Sequence, residues 1–438
     1  MGRAAKSAIL TALLAGLQVE AQIALTPGST VVAGRPQAAG QQAANTIVFG
    51  TSTGVAYDSN ALSSQPPISD VQYTFYPLVG LRLARPRWDA SISLVPGFSY
   101  SSANLPEYQA VSFKSNVWLQ YRPSERWSVD FANYLVSSSN PFDSLSTNVG
   151  TGSGSAPWSL ANLNYLPKTN ELMTTDVAYS LSARTSLQIQ ASYNYLDYQN
   201  NPNVPVAAQP FQQSNSMQLS IGIIHGLSPR HSETFQYVGQ LFDAGQGRVK
   251  TQGQSFQYGF QWAPTSALRL SVTAGPEYLQ TAYSAAAHLN GLANLATQRA
   301  SEWAFAGSFG ISETFGKNSI SATVSEQPSI GNQYQGVVQQ AAVEAGWTRK
   351  LAGKAVLVMF GSYSMNTPVS IGQNIARLSN NYFSSGATIN KTVAERWVVS
   401  CSYWYLFQNQ SSNAEQIYSG NHNRVAISLS YAVARPLK

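Results

Sequence analysis

The sequence predicts an all-β chain: a transmembrane antiparallel up-and-down β-barrel of about 18 strands, with about 16 as the alternative count. Three observations predict it. Apolar and small polar residues alternate in run after run, the connections between runs alternate in length, and aromatic residues gather at run ends. Successive strand side chains point to opposite faces, so this alternation gives each run one apolar face and one polar face. A half-buried soluble strand alternates in the same way, so the other features must decide between core and lipid.

The 438 residues are long enough for two or three ordinary domains or one large β structure. Only 11% are charged, while 23 Tyr and 9 Trp contribute to an aromatic content of 11%. Mean hydropathy is -0.14. Neither a salt-rich soluble surface nor a greasy helical bundle has that balance, whereas a wall wet on one face and lipid-facing on the other averages to it. The net charge of +6 is scattered, with no basic stripe for nucleic acid. The single cysteine, Cys401, excludes an internal disulfide framework; on the apolar face of its run it reads as a small hydrophobe.

Residues 1–21 read as a signal peptide: Arg3 and Lys6 precede the apolar stretch Ala8 to Leu17, and Val19-Glu20-Ala21 supplies a cleavage site. No later stretch is long and apolar enough for a transmembrane helix. Residues 22–45, with Thr26-Pro27-Gly28 and Arg35-Pro36, lack periodicity and read as a flexible periplasmic lead-in. The barrel is expected over 46–438 as one unit.

From Ile47 the runs follow one another. Val71, Tyr73, Phe75, Val79, Leu81 and Leu83 alternate with Gln72, Thr74, Gly80 and Arg82, and a turn at Arg85-Pro86-Arg87 follows. Trp88, Ala90, Ile92, Leu94, Phe98 and Tyr100 then oppose Asp89, Ser91, Ser93 and Ser99. Val111, Phe113, Val117, Leu119 and Tyr121 oppose Ser112, Lys114, Asn116 and Gln120; past Pro123, Trp127, Val129 and Phe131 oppose Ser128 and Asp130. The same pattern recurs around Leu187–Tyr195 and Leu268–Tyr278. It ends with Trp397, Val399, Cys401, Tyr403, and with Val425, Ile427, Leu429, Tyr431, Val433. Trp404 and Leu406 break the polar face of their run and are expected to point inward. Pro96 and Pro276, each next to a glycine, predict local bulges within their runs.

Short connections fall near Pro86, Pro123, Ala183, Pro229, Pro264, Gly316, Gly353 and Thr392. Longer polar ones fall near 58–70, 102–108, 138–170, 198–213, 243–249, 281–299, 329–336, 367–377 and 410–422. Short turns at one end and long loops at the other are the asymmetry of a membrane barrel. Loop 138–170 is the candidate for folding inward to narrow a lumen. The runs at 47–57 and 337–349 are weak, which is why the lower strand count stays open.

Trp88, Trp127, Trp262, Trp347 and Trp397 stand beside short turns, as lipid-interface aromatics would. Nearly every charged residue within a run lies on the small polar face. Lys114, Arg126, Asp130, Arg269, Glu277 and Arg424 are the candidate pore-lining residues, able either to set ion preference or to pair and brace the wall.

On these features the chain resembles a bacterial outer-membrane β-barrel of the porin-like kind found in Gram-negative genomes, over about residues 47–434. Tyr57-Asp58-Ser59-Asn60, at the end of the first run, also resembles that broad group, although an Asp/Asn turn gives the same four residues. That family usually ends its last strand on an aromatic read by the assembly machinery, whereas here Ala434-Arg435-Pro436-Leu437-Lys438 follow Val433. The resemblance implies location in the cell outer membrane. It also implies contact with outer-membrane lipid and lipopolysaccharide, and partnership with the assembly machinery.

No residue pattern marks catalysis. His225 and His231 flank the turn at Pro229, and His288 and His422 fall in long loops, none beside a triad-like set. There is no HxxxH, Cys pair or Asp-rich calcium loop, and Gly245-Gln246-Gly247-Arg248 reads as flexibility, so no metal and no cofactor is expected. The sequence therefore predicts a passive diffusion channel for small polar solutes, not an enzyme. Two alternatives stand: export of polysaccharide or another polymer, and a closed structural or adhesive barrel whose loops bind a ligand.

Overall fold

The computed structural model describes residues 45–60, 67–103, 111–138, 168–198, 213–244, 249–283, 298–330, 337–368, 378–412 and 415–437. The signal peptide and nearly all of the lead-in expected from the sequence lie outside them. So do 139–167, which is most of the loop expected to fold inward, and Gly245 to Arg248.

Every regular element is a strand. In chain order they are β1 (Thr46–Asp58), β2 (Asp70–Arg85), β3 (Trp88–Ser101), β4 (Val111–Ser124), β5 (Trp127–Ser138) and β6 (Lys168–Ser180). Then come β7 (Thr185–Tyr198), β8 (Ser214–Ser228), β9 (His231–Ala244), β10 (Val249–Trp262), β11 (Leu268–Tyr283) and β12 (Gln298–Phe315). The last six are β13 (Asn318–Ile330), β14 (Val337–Lys350), β15 (Ala355–Pro368), β16 (Leu378–Ala394), β17 (Trp397–Ser412) and β18 (Glu415–Pro436). The weak runs at both doubtful places, β1 and β14, are strands, so the count is 18.

Each strand pairs antiparallel with its sequence neighbours, and β1 pairs with β18, so the sheet closes on itself. Closure runs from Thr46↔Pro436 to Asp58↔Arg424, and Leu437 N–H donates to the Asn45 carbonyl at 2.8 Å. The residues after Val433 therefore continue the closing strand through Pro436. Closure matters because an unpaired strand edge has no water to satisfy it in hydrocarbon.

The two faces separate as the alternation demands. Val55, Tyr57, Tyr73, Phe75 and Ile427 are exposed on the outside, Ile427 to 57%, while Ala56, Asp58, Gln72 and Thr74 are buried on the inside. A soluble protein does not leave such a belt of large apolar side chains in water. Cys401 is exposed on this same outer face.

Short turns at 86–87, 125–126, 181–184, 229–230, 263–267, 316–317, 351–354 and 395–396 all lie at the end that holds Asn45 and Leu437, hereafter the turn end. Gly353 and Lys354 have φ of 67° and 59°, the positive pair that a type I′ hairpin requires. The other connections lie at the loop end. One departs from the sequence reading: 410–422 is not a long loop, because β17 reaches Ser412 and β18 begins at Glu415. The prolines also act differently from expectation. No register shift occurs at Pro96 or Pro276; instead the β2–β3 ladder lacks pairs between Phe75↔Phe98 and Val79↔Leu94, and β10–β11 between Ser255↔Glu277 and Tyr258↔Ala274. A residue without N–H removes ladder bonds without adding a residue.

Candidate functional site

Among the described residues the buried polar and charged side chains gather on the inner wall, and its loop half is densely packed. At the closing seam, Asp58 ends β1 inside the barrel and is fully buried. The His422 Nδ1 lies 3.6 Å from its Oδ1 and the Arg424 Nη1 lies 3.9 Å from its Oδ2, both from buried side chains of β18. The backbone holds this carboxylate in place. Asn60 N–H donates to Asp58 Oδ1 at 3.0 Å, Ser59 N–H donates to the Asn423 carbonyl at 2.9 Å, and Asn423 N–H donates to Ser59 Oγ at 2.9 Å. The Tyr57-Asp58-Ser59-Asn60 stretch is thus a clip that fastens the first strand to the last.

Two aromatic shelves flank the seam. Tyr76 lies across Gly97, where an added Cβ would collide with the Tyr76 ring and with Ser112 Oγ, and Lys114 Nζ stands 5.3 Å from the ring centroid. A cation over a ring face is attracted by its quadrupole. Tyr76, Leu78 and Val95 form a buried apolar cluster at this point. On the other side Phe360, Gly386 and Trp404 lie in register on β15, β16 and β17. The glycine lets the two rings meet at 4.6 Å, and Leu406 is buried beside them. Trp404 and Leu406 point inward near the loop end, as their position in the run implies.

The candidate pore residues occupy different depths. Lys114, Glu277 and Arg424 are buried in the loop half of the inner wall. Asp130 is half-buried on β5 and accepts from Gln120 Nε2 at 2.8 Å and from Ser128 Oγ at 3.0 Å. Arg269 is half-buried on the inner face of β11 near the turn end, and Arg126 is exposed in the turn before β5. The pair Arg82–Asp89, 2.6 Å apart, braces the inner wall near the same end. Sequence reasoning missed His422 by placing it in a loop, and missed the interior apolar shelves; the signals at Trp404 and Leu406 were the only clue to the latter. The five tryptophans sit on the outer face near the turns, with Trp127 against Tyr179 at 4.6 Å and Trp397 against Tyr431 at 4.9 Å.

Around the whole loop half, buried inner-wall polar atoms lack a protein partner. They include both amide atoms of Gln72, Ser101 Oγ, Gln240 Oε1, both carboxyl oxygens of Glu277, Gln340 Nε2 and Ser402 Oγ. Buried polar groups are almost always satisfied, so this set marks the loop half as the part of the wall where polar side chains are packed without full pairing.

Closed, apolar outside and polar inside, the wall has a single environment that suits it. The chain is a transmembrane β-barrel.

No family model matches this barrel, and no curated protein sequence matches it. Solved structures to which the chain is similar include OccK2 (OpdF) of Pseudomonas aeruginosa in complex with glucuronate, at 8% identity and a TM-score of 0.42, covering 89% of this chain and 98% of that one. OccAB3 of Acinetobacter baumannii has 8% identity and a TM-score of 0.43, with 89% and 99% covered. OpdK of Pseudomonas aeruginosa with vanillate has the same four values. The barrel of this chain is similar to theirs in plan, and its chemistry is read from its own residues.

Proposed function

We propose that this barrel is a diffusion channel of the cell outer membrane that passes small polar solutes through a constriction in its loop half. A closed wall of 18 strands, apolar on its outer face and lined with polar and charged side chains on its inner face, is the observation that carries this reading. Such groups replace part of a solute's hydration shell as it passes, which is how pore linings select. Eighteen strands enclose enough width for an aqueous lumen. The turn end, which holds Asn45 and Leu437, faces the periplasm, and Trp88, Trp127, Trp262, Trp347 and Trp397 mark the periplasmic interface.

Lys114, Asp130, Arg269, Glu277 and Arg424 then supply charge of both signs along the wall, with Arg126 at the periplasmic mouth. Mixed signs favour solutes that hydrogen-bond broadly over a single ion class. Lipopolysaccharide and lipid contact the outer belt, and the assembly machinery inserts the barrel. Planar-bilayer recording on the purified full chain tests the reading: stepwise ion conductance is expected, and its absence from an intact, inserted barrel removes the channel.

A further inference from the structure

One ladder in the wall is incomplete. β12 pairs with β13 only from Phe315↔Asn318 to Gly307↔Glu326. Beyond that point β12 continues to Gln298 against β11, and β13 continues to Ile330 against β14. Extending the register would set Phe305 opposite Pro328, which has no N–H to donate. Phe305 already faces Pro276 on its other side. The nine pairs that do form span about 30 Å of strand, or about 22 Å along the barrel axis at a tilt of ~40°. That is close to the height of an apolar band, so the backbone pairing of this seam ends near the outer interface, where the Gln339 side chain bridges to the Phe305 carbonyl instead. Trp303, 71% exposed and packed on Tyr278 at 5.2 Å, stands at that level on the outside.

Directly behind the seam the inner wall changes character. Phe242 and Leu279 form a buried apolar cluster with Ala304 packed against it, and Ala306 is buried next along β12. Glu277 pairs with Ala304 in the β11–β12 register. Its side chain is 0% exposed, and neither carboxyl oxygen accepts a hydrogen bond. Room for it exists because Gly253 has no side chain: a Cβ there would stand 3.0 Å from both Glu277 Oε1 and Leu279 Cδ2. A carboxyl group without a donor, beside an apolar patch and one strand away from a stretch of wall without backbone pairing, describes one kind of ligand.

We infer that this wall segment binds a lipophilic amine, with its alkyl chain on Phe242 and Leu279 and its ammonium on Glu277, and that the β12–β13 seam is its side entrance from the outer leaflet. An ammonium supplies both the missing donors and the opposite charge. A fatty acid would set one carboxylate against another. On the outside, Glu326 stands at the apex of the seam, and its Oε1 lies 3.5 Å from Gln339 Nε2, so the entrance also carries negative charge.

The test uses the full chain in liposomes with a diazirine-bearing dodecylamine, photolysis, and mass-spectrometric mapping of the labelled residues. Label is expected on the inward-facing Phe242, Leu279 and Ala304, reduced at least about tenfold in Glu277→Gln. The corresponding dodecanoic acid and dodecanol probes are expected to leave those residues unlabelled. Pro328→Thr restores an N–H opposite the Phe305 carbonyl and is expected to slow the onset of labelling without changing its final extent. Should that variant not fold, Gln339→Leu, which removes the side chain bridging the seam, is expected to hasten onset. Equal labelling by dodecanoic acid or dodecanol, or equal labelling of Glu277→Gln, overturns the site; an onset unmoved by either seam variant overturns the side entrance. Labelling requires no conductance, so a barrel that fails to conduct still gives a reading here.

Discussion

The side-chain amide of Gln339 donates to the main-chain carbonyl of Phe305 at 2.6 Å, reaching from β14 to β12 past the strand that lies between them. Gln339 stands opposite Pro328 in the β13–β14 register. The side chain therefore supplies the donor that Pro328 cannot. Gln339→Leu leaves that carbonyl without a partner and is expected to cost about 1 kcal/mol. The loss is read as a lower temperature for heat-modified migration of the barrel in detergent gels, and Pro328→Thr in the same chain is expected to restore it. No change in Gln339→Leu would show the bridge to be without weight.

Asp58 is the anchor of the closing seam, so Asp58→Ala is expected to be among the most damaging single changes. It removes the acceptor for Asn60 N–H and leaves Arg424 buried beside an apolar side chain. Breaking a buried pair from one side costs about 3–5 kcal/mol. The double variant Asp58→Ala/Arg424→Gln is expected to recover part of that loss, measured by urea unfolding in lipid. A double variant no better than the single one would remove the pairing argument.

These residues also mark what the sequence could and could not reveal. Alternation was legible wherever a strand crosses lipid, because the outer face there must be apolar; Val425 to Val433 show it plainly. The first part of β18, Glu415 to Asn421, shows no such face, since strand that rises above the bilayer has water available on its outer side. Polarity alone then reads as a loop, and His422 was misplaced with it. Asp58 and His422 meet only because the chain closes on itself, and Pro276 faces Phe305 and Gln339 faces Pro328 only through two inter-strand registers. No local pattern encodes either relationship. Glycines beneath Tyr76 and Phe360 were equally silent, because their role is to leave space for a ring from another strand.

The assignment of faces can be tested with two neighbours on β13. Val324 is exposed on the outer face and Thr323 is exposed on the inner one. Val324→Arg is expected to cost about 2–4 kcal/mol near the bilayer midplane, whereas Thr323→Arg is expected to change stability by less than about 0.5 kcal/mol. Reversible unfolding in lipid vesicles measures both, and equal costs would contradict the lipid-facing assignment.

Tyr76 offers the sharpest link between packing and passage. Its ring is 3% exposed on the inner wall and occupies the space that Gly97 leaves open. Gly97→Ala forces the ring or the backbone to move, an overpacking that costs about 1–3 kcal/mol. Tyr76→Ala does the opposite, removing bulk from the constriction and the ring that faces Lys114. It is expected to raise single-channel conductance and to strengthen anion preference, because Lys114 loses its aromatic cover. The double variant Tyr76→Ala/Gly97→Ala is expected to lose less stability relative to Tyr76→Ala than Gly97→Ala loses relative to the parent, since the collision with the ring is gone and only that with Ser112 Oγ remains. Conductance unchanged in Tyr76→Ala would place the narrowest part of the lumen away from this shelf.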